Sequence, residues 1–364
     1  RDARVGRALG SRGRALVPHG TPYAVSPGRV RTAAGAPYQV FTPFSRAWRA
    51  HGWPAPAPEV ETRWVHGVPG EPLPTAAAFD SGPVGEDAAL RRWEEFRDHD
   101  LAQYAEARDR PDLDATSRLS VPLKYGEIHP RTLLADLAAS PPAGEHADAS
   151  VDRFVAELCW REFYADVLWH RPDAAWRDLR TDLAALAYDS GPEVDALVES
   201  WRRGSTGFPL VDAGMRHLLA EGWMPNRVRM VAASFLVKDL HVWWPVGARH
   251  FLDHLLDGDL ASNSGGWQWT AGTGTDAAPY FRVFNPVSQG LRFDPHGDYV
   301  RRWVPELRHL PGPAAHRPWE HPEGLSRGYP PPAVDHAAER ADALARYRVA
   351  GLGPREASGR GSSG

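Results

Sequence analysis

The chain has 364 residues, of which 42% are hydrophobic, so it can build one large domain or two ordinary ones and is not a disordered protein. Its one cysteine, Cys159, excludes a disulfide framework and a multi-cysteine metal site, and fits a reducing, cytoplasmic setting. The formal net charge is -4, so binding to nucleic acid would need a local cluster of positive side chains. Those would be arginines, because lysine occurs only at Lys124 and Lys238.

We expect a cytoplasmic protein without membrane contact. No apolar run is long enough to cross a membrane, and the basic start at residues 1–14 lacks the apolar segment of a signal peptide. Fifteen tryptophans is a high count. Indole is a large stacking surface and a possible electron carrier, although a tryptophan-rich core is the ordinary explanation.

The first part of the chain, residues 1–75, is rich in glycine and proline and shows no sustained helical period. It predicts irregular structure or the tail of an α/β unit, not a segment that folds alone. The proline-rich stretches 54–58 and 69–74 predict a long linker that lies over the surface of another domain.

From residue 86 the pattern becomes helical. Apolar residues recur at three- and four-residue spacing, interrupted by glycine, proline and asparagine, over residues 86–107, 130–139, 150–168, 192–203, 211–220, 226–241 and 246–256. The pattern predicts an all-helical domain. The stretch from Gly351, which ends in GRGSSG, has the composition of a flexible tail.

The segment ELCWREFY, residues 157–164, lies within one of these helical patterns. An acid, an indole, a guanidinium and a phenol share one stripe of the helix, at Glu157, Trp160, Arg161 and Tyr164. A core stripe does not usually carry unpaired charges, because burying them is costly. The segment is therefore either part of a site or a surface ion pair beside a packed tryptophan.

A second helix begins after Pro225 with NRVRM. Asn226 is predicted to be its N-cap, and Asn226 and Met230 lie one turn apart on the same side. Arg227 and Arg229 can point elsewhere, toward a flavin or a phosphate. The alternative is a capped, basic helix that faces solvent.

The most unusual stretch is DGDLASNSGGWQWTAGTGTDAAPYFRVFNP, residues 257–286. Acids flank Gly258, small residues follow, and Trp267 and Trp269 flank a glutamine. We predict a loop in which the backbone approaches a planar ligand and the indoles stack on something flat. A metal site is disfavoured because no histidine or phosphate-binding lysine stands beside the acids.

The segment TSRLS, residues 116–120, offers three hydroxyls and free backbone amides ahead of the helical 130–139 segment. Such a group can cradle a diphosphate, and an ordinary helix entry with serine caps explains it equally well. The chain has no glycine-rich dinucleotide fingerprint and no P-loop, so a nucleotide would not be bound in the Rossmann or Walker manner.

These segments together resemble the photolyase and cryptochrome family. TSRLS, ELCWREFY, GSTGFPLVDAGMRHL, NRVRMVAASFLVKDL and the 257–286 stretch follow the family in order and spacing, over roughly residues 20–345. The resemblance implies a mainly helical fold, with an all-helical domain that holds U-shaped FAD and binds DNA over the mouth of the pocket. It divides the chain into a remnant of an α/β antenna domain (1–50), an interdomain linker (51–85), the helical FAD-binding domain (86–350) and the tail (351–364).

The resemblance also assigns residues to the cofactor and to the lesion. The FAD contacts it implies are Tyr104, Thr116, Ser117, Arg118, Leu119, Ser120, Arg161, Asp257, Gly258, Asp259 and Asn263, with Asn263 beside the redox-active flavin nitrogen. The catalytic set it implies, which handles a pyrimidine dimer, is Glu157, Trp160, Asn226, Met230, Asn263 and Trp269. Contacts to DNA are assigned to Arg108, Trp160, Arg227 and Arg229, electron transfer to Trp267 and Trp244, and no metal is implied.

The subtype implied is a class I photolyase that splits cyclobutane pyrimidine dimers, acting as a monomer on dimer-containing DNA. Relatives that repair (6-4) photoproducts carry histidines where this chain has Asn226 and Met230. Two alternatives remain: a cryptochrome-type blue-light receptor without repair activity, and a helical DNA-binding module without a cofactor.

The chain departs from the family in two places. No tryptophan stands near residues 188–191, where the family's outermost electron carrier falls, and Tyr188 or Trp176 is the candidate substitute. The chain also starts near the last helix of the antenna domain. We therefore expect a truncated antenna domain, no bound folate or deazaflavin antenna pigment, and exposed apolar surface at Val40, Phe41 and Phe44.

Overall fold

The computed structural model describes residues 2–352, except 18, 59, 62, 68, 73–74, 76–81, 142–143, 145, 278 and 280. The described residues form fifteen α-helices, joined by loops and short 3-10 turns, and contain no β-strand. The helices are α1 (Asp2–Gly10), α2 (Phe41–His51), α3 (Glu86–His99), α4 (Tyr104–Ala107), α5 (Ser120–Tyr125), α6 (Pro130–Ala139), α7 (Ala147–His170), α8 (Pro192–Arg203), α9 (Pro209–Glu221), α10 (Asn226–Lys238), α11 (Trp244–His254), α12 (Leu260–Ala271), α13 (Pro286–Phe293), α14 (Asp298–Trp303) and α15 (His336–Tyr347). The prediction of a mainly helical fold is confirmed.

Most predicted helices are present with small changes at their ends. The predicted spans 130–139 and 192–203 coincide with α6 and α8, each of which begins with a proline in its first turn. The span 86–107 is divided into α3 and α4 by a 3-10 turn at Leu101–Gln103. Residues 353–364, most of the predicted tail, lie outside the described residues.

The prediction of a loop within residues 257–286 was wrong for its first part. The small residues and tryptophans after Asp259 are not a loop, because Leu260–Ala271 forms α12. The side chain of Asp259 accepts a hydrogen bond from the backbone N–H of Ser262 and so caps the helix. The helix is packed on several sides, against α7, α10 and α11, so it has no polar face to reveal a helical period.

Two hydrophobic clusters form the core. One is built around α8 to α12 and α14, and it contains the fully buried Trp201 and Trp244. The other is built around α2, α3, α6 and α7, and it contains the fully buried Trp48. The long helix α7 also contacts α12, and this crossing positions the residues of the predicted site.

The N-terminal segment packs against the helical domain through α2. Phe44 is 1% exposed, and the ring of Phe41 stacks on Trp160, so the expectation that both are exposed was wrong; Val40 is exposed as expected. A segment that cannot bury its own apolar face gains most by burying it against a neighbour, here α7. No described helix is long and apolar enough to span a membrane.

Candidate functional site

Glu157 on α7 belongs to a run of ion pairs that joins three parts of the chain. Its carboxylate is paired with Arg108, which follows α4, and lies 3.6 Å from Arg153. Asp109 lies 3.8 Å from Arg108 and accepts a hydrogen bond from Arg227 of α10 at 2.7 Å. Residues that the sequence assigned to the lesion and to DNA are therefore connected by direct contacts.

Burial strengthens these pairings. Only 9% of the Arg108 side chain is exposed, and 30% of that of Glu157. Burial opposes the charge of Arg108, yet the neighbouring Glu157 raises the pKa of this guanidinium above its usual range. The ring of Tyr104 packs under Arg108, and burial together with Glu157 raises the pKa of its phenol. Arg108 is therefore a fixed positive charge.

Trp160 presents its indole beside Glu157, one turn along α7. Phe41 stacks on one face of this indole, with ring centroids 3.7 Å apart and planes 5° apart. The backbone N–H of Phe41 donates to the carboxylate of Asp276. Phe41 thereby fixes the indole plane, a contact that the sequence did not predict.

Trp269 lies on α12, which packs against α7, the helix of Trp160. Tyr164, one turn after Trp160, packs so tightly on Gly265, one turn before Trp269, that a Cβ there would lie 2.2 Å from the ring. The guanidinium of Arg282 lies 5.9 Å from the Trp269 ring. Asp276 thus lies beside the Phe41–Trp160 stack, and Arg282 lies beside Trp269.

Arg161 is predicted to contact FAD, and the structure gives its guanidinium other partners. It donates to the backbone carbonyls of Pro22 and Leu123, and its plane lies 4.5 Å from the ring of Tyr23. Burial, with Asp259 nearby, raises the pKa of Tyr23. Arg161 therefore ties the N-terminal segment and α5 to α7.

Glu162 is a buried structural acid that the sequence did not reveal. It is buried, and it accepts hydrogen bonds from the backbone N–H groups of Ala24 and Val25 and from the indole of Trp48. Burial raises the pKa of its carboxyl. Its position on the apolar side of the α7 pattern was the available signal, because a buried acid requires donors.

The prediction that Asn226 is an N-cap is wrong. Asn226 is the first residue of α10, and Pro225 occupies the N-cap position. A proline before the helix fixes an extended backbone there, which shifts the helix start by one residue. The Asn226 side chain is exposed, and its amide lies 3.7 Å from the sulfur of Met230. The predicted one-turn pairing of these two residues is therefore present.

Arg229 and Arg227 have different environments. Arg229 donates to both carboxylate oxygens of Asp257, at 3.0 and 2.7 Å, and to the carbonyl of Met224. Arg227 is paired with Asp109, and its guanidinium lies 4.4 Å from the ring of Phe293. Arg229 thus fixes Asp257 next to Gly258, while Arg227 points toward the ion pairs around Glu157.

The backbone of the TSRLS segment is held by an arginine of α3. Arg92 of α3 donates to the carbonyls of Thr116 and Ser117, which fixes the backbone of this loop. Arg118 has a φ of 51°, in the left-handed region that non-glycine residues seldom adopt, and such strain is concentrated at functional sites. Leu119 is buried, and Ser120 is exposed at the start of α5.

The side chain of Arg118 points away from this loop. It pairs with Asp114 at 2.9 Å and with Glu221 at 3.6 Å, and it stacks on Trp223 at 4.5 Å. These contacts hold the left-handed residue in place.

Asn263 supplies a neutral polar group on α12. Its amide nitrogen donates to the carbonyl of Ala248 at 2.9 Å, which leaves the side-chain oxygen to accept a further bond. One turn later, the indole N–H of Trp267 is buried without a hydrogen-bond partner among the described residues. A buried donor of this kind is stabilised when a ligand or water supplies an acceptor. The residues around Asn263 therefore fit a polar, uncharged ring such as a flavin.

Trp267, one of the two predicted electron carriers, packs against α11, the helix that begins with the other, Trp244. Trp267 packs on Gly247 so closely that a Cβ there would lie 2.2 Å from the indole, and Trp244 is one turn before Gly247. The indole of Trp244 donates to Asp178 at 2.7 Å. Tyr188 has a buried hydroxyl without a partner among the described residues, and burial, with Asp178 nearby, raises its pKa.

A cavity of about 490 Å³ lies elsewhere on the molecule, and none of the residues that line it belongs to the predicted site. Its lining residues are Glu199, Arg202, Arg203, Leu219, Val246, Arg249, His250, Asp253 and His254.

The class of the protein follows from family models that match both parts of the chain, a flavin-binding helical domain and the segment before it. The family model "FAD binding domain of DNA photolyase" matches residues 154–349, and the model "DNA photolyase" matches residues 1–61. The chain belongs to the photolyase and cryptochrome family, as the sequence motifs predicted.

Relatives and solved structures agree with this assignment. The chain is 41% identical to the deoxyribodipyrimidine photo-lyase of Escherichia coli, over 97% of this chain and 76% of the relative. It is 43% identical to the enzyme of that name from Streptomyces griseus, over 94% and 74% of the two chains. A class III photolyase from Agrobacterium tumefaciens superposes with a TM-score of 0.83 at 37% identity, covering 96% of this chain and 76% of that one. A Synechocystis cryptochrome superposes with a TM-score of 0.77 at 27% identity, with the same coverage.

Proposed function

We propose that this protein repairs cyclobutane pyrimidine dimers in DNA, using blue light, and that it acts as a monomer of the class I type. The observation that carries the proposal is the run of ion pairs from Arg153 through Glu157, Arg108 and Asp109 to Arg227. It gathers, from three distant parts of the chain, residues that the family resemblance assigns to lesion and DNA.

FAD, when bound and reduced, supplies the electron that opens the cyclobutane ring after it absorbs light. The residues that would hold it are Tyr104, Thr116, Ser117, Arg118, Leu119, Ser120, Arg161, Asp257, Gly258, Asp259 and Asn263. Within this set, we assign Arg118, Arg161 and the Asp257–Arg229 pair to positioning the loops, because their charged groups already have protein partners. The hydroxyls and backbone amides of the TSRLS loop would contact the phosphates.

The lesion would be extruded from the duplex into the space beside Trp160 and Trp269. A dimer stacks and pairs poorly, so its extrusion costs less than that of normal bases, and this is a source of selectivity. Phe41 supports one face of the Trp160 indole, and the lesion would pack against the opposite side. Glu157 and Asn226 would bond the pyrimidine edges, and Met230 would pack beside them.

DNA phosphates would be neutralised by Arg108 and Arg227. The protein as a whole carries a net charge of -4, so the positive charge that binds phosphate must be local. These two arginines would provide it. Both are paired with acids in the free protein, Arg108 with Glu157 and Arg227 with Asp109. A bound phosphate would therefore compete with Glu157 for Arg108 and leave this carboxyl available to the lesion.

Light-dependent loss of a thymine dimer from an oligonucleotide tests the proposal. Purified protein, reduced anaerobically, should remove dimers under blue light and leave them intact in the dark. A yellow protein that binds FAD but never removes dimers would indicate a cryptochrome-type receptor instead. A colourless protein without flavin absorbance would indicate a helical DNA-binding module.

A further inference from the structure

His241 follows the end of α10 and meets two carboxylates of α15. Its Nε2 atom lies 2.8 Å from Oε2 of Glu339 and 3.5 Å from Oδ2 of Asp342. Glu339 and Asp342 are three residues apart on one helix, so they project from the same face. The imidazole is buried, and the two carboxylates lie nearer the surface. One nitrogen and two oxygen ligand atoms therefore meet at a place that an ion can reach from solvent.

The spacing of these three atoms suits a small divalent cation. All three lie within 4.8 Å of one another. Zinc bonds to histidine nitrogen and carboxylate oxygen are about 2.0–2.2 Å, which puts neighbouring ligands of a tetrahedral site about 3.3–3.5 Å apart. Small side-chain rotations would bring the three atoms to that spacing.

The local charge also favours a cation. Asp239, two residues before His241, is buried, and its Oδ2 atom has no hydrogen-bond partner among the described residues. It lies close enough to His241 and Glu339 to interact electrostatically with both. Its other oxygen is paired with His336. This acid adds negative charge near the three ligand atoms.

Arg346 is the guanidinium that contacts this group within the described part of the chain. It pairs with Asp342 at 2.8 Å and with Asp189 at 2.6 Å. Arg346 thus pairs with two carboxylates, and Lys238 interacts electrostatically with Asp239. The four carboxylates of Asp189, Asp239, Glu339 and Asp342 still outnumber these two cations. Arg346 donates to Oδ2 of Asp342, the oxygen nearest His241, so a rotation of this carboxylate would present Oδ1 to a metal while the arginine orients the ligand through Oδ2.

We propose that His241, Glu339 and Asp342 bind a divalent cation of the zinc class, with water as a fourth ligand. An imidazole nitrogen combined with carboxylates suits zinc and its neighbours, whereas calcium and magnesium prefer oxygen ligands alone. The ion would fasten α15 to the end of α10. Because Tyr347 of α15 donates to the carbonyl of Ala271 at 2.5 Å, this also steadies the end of α12.

Zinc binding to tag-free protein tests the site, measured by competition with a chromogenic chelator. We expect one tightly bound zinc ion per chain. His241→Ala and Glu339→Gln should each weaken binding by more than the roughly 10–100-fold that loss of an outer-shell partner causes. Cobalt in place of zinc should give the strong visible absorption of a tetrahedral site, and both variants should lose it.

Two control variants test whether zinc binding is specific to this site. Glu193→Gln removes an exposed carboxylate from α8, and His309→Ala removes a partly exposed histidine; both should bind zinc as the wild type does. Glu339→Gln keeps the size of the side chain and its ability to accept from His241, so the fold should survive even if His241→Ala unfolds. Wild-type affinity in Glu339→Gln, or no zinc retained by the wild type, would overturn the proposal.

Discussion

The guanidinium of Arg108 is paired with the carboxylate of Glu157 across the gap between the end of α4 and α7. This pair links the residue we assign to the lesion with one we assign to DNA phosphate. Arg108 and Glu157 neutralise each other in the free protein. A DNA phosphate would replace Glu157 as the partner of Arg108. The predictions below follow from this arrangement and its surroundings.

Glu157→Ala should lower the yield of dimer repair while FAD content stays unchanged. In its protonated form, the carboxyl would donate a hydrogen bond to the charge that develops on the dimer. Removing one such donor in other enzymes costs roughly 100–1,000-fold in rate, and we expect a smaller loss, about 10-fold, because Asn226 is retained. Repair per flash and flavin absorbance are the measurements. Asp152→Ala, which removes an exposed acid of the same helix, is the control, and equal repair by both variants would remove Glu157 from the mechanism.

Arg227→Ala should weaken binding to dimer-containing DNA and make it less salt-dependent. Each phosphate contact contributes about one unit to the slope of log affinity against log salt, so the slope should fall by about 1. Fluorescence anisotropy at several salt concentrations measures this. Arg340→Ala, on the exposed side of α15, should leave the slope unchanged; an unchanged slope in Arg227→Ala would mean that Arg227 does not contact phosphate.

Tyr188→Phe and Trp244→Phe should slow the photoreduction of oxidised flavin without affecting repair by flavin that is already reduced. Trp244 donates to Asp178, and the charge of Asp178 also acts on Tyr188. Absorbance changes during illumination with a thiol reductant measure the rate. Trp176→Phe is the comparison: if it slows photoreduction and Tyr188→Phe does not, Trp176 is the outermost carrier.

Glu162→Gln should destabilise the protein by about 1–3 kcal/mol. The carboxylate accepts three hydrogen bonds, and an amide would turn an N–H group toward donors. Urea unfolding measures the loss, and Glu94→Gln on the exposed side of α3 should show little change. Unchanged stability in Glu162→Gln would contradict the view that this acid holds the N-terminal segment.

The free energy of unfolding should fall at acidic pH because the buried imidazole of His217 resists protonation. Burial lowers the pKa of this imidazole to about 4 from 6.5, so between those values the unfolded chain binds more protons than the folded one. Stability therefore rises with pH across this window and is lost as pH falls from 6.5 toward 4, by about 1–2 kcal/mol between pH 7 and pH 5. His217→Gln should flatten this part of the pH profile in urea unfolding; an unchanged slope would place the pH dependence elsewhere.

How much the sequence predicts depends on how local the cause is. The sequence predicts where α6 and α8 begin, because a proline in the first turn of a helix is a local signal. Helix α12 was not predicted, because it is packed on several sides and lacks an amphipathic pattern.

The same distinction applies to the site. The one-turn relation of Asn226 and Met230 follows from helical spacing, and the structure has it. The partners of Arg161 and Glu162 come from residues more than a hundred positions away in most cases, such as Pro22 and Ala24, and spacing within α7 cannot predict them. Similarly, the stacking of Phe41 on Trp160 depends on how α2 packs against α7.

The action spectrum of repair tests the central claim most directly. Reduced protein, mixed anaerobically with a thymine-dimer oligonucleotide, is illuminated at a series of wavelengths, and the number of dimers split per incident photon is compared with the absorption spectrum of the same sample. We predict that repair follows the absorption band of the reduced flavin and is absent in the dark. Light absorbed in that band without any loss of dimers would contradict the account.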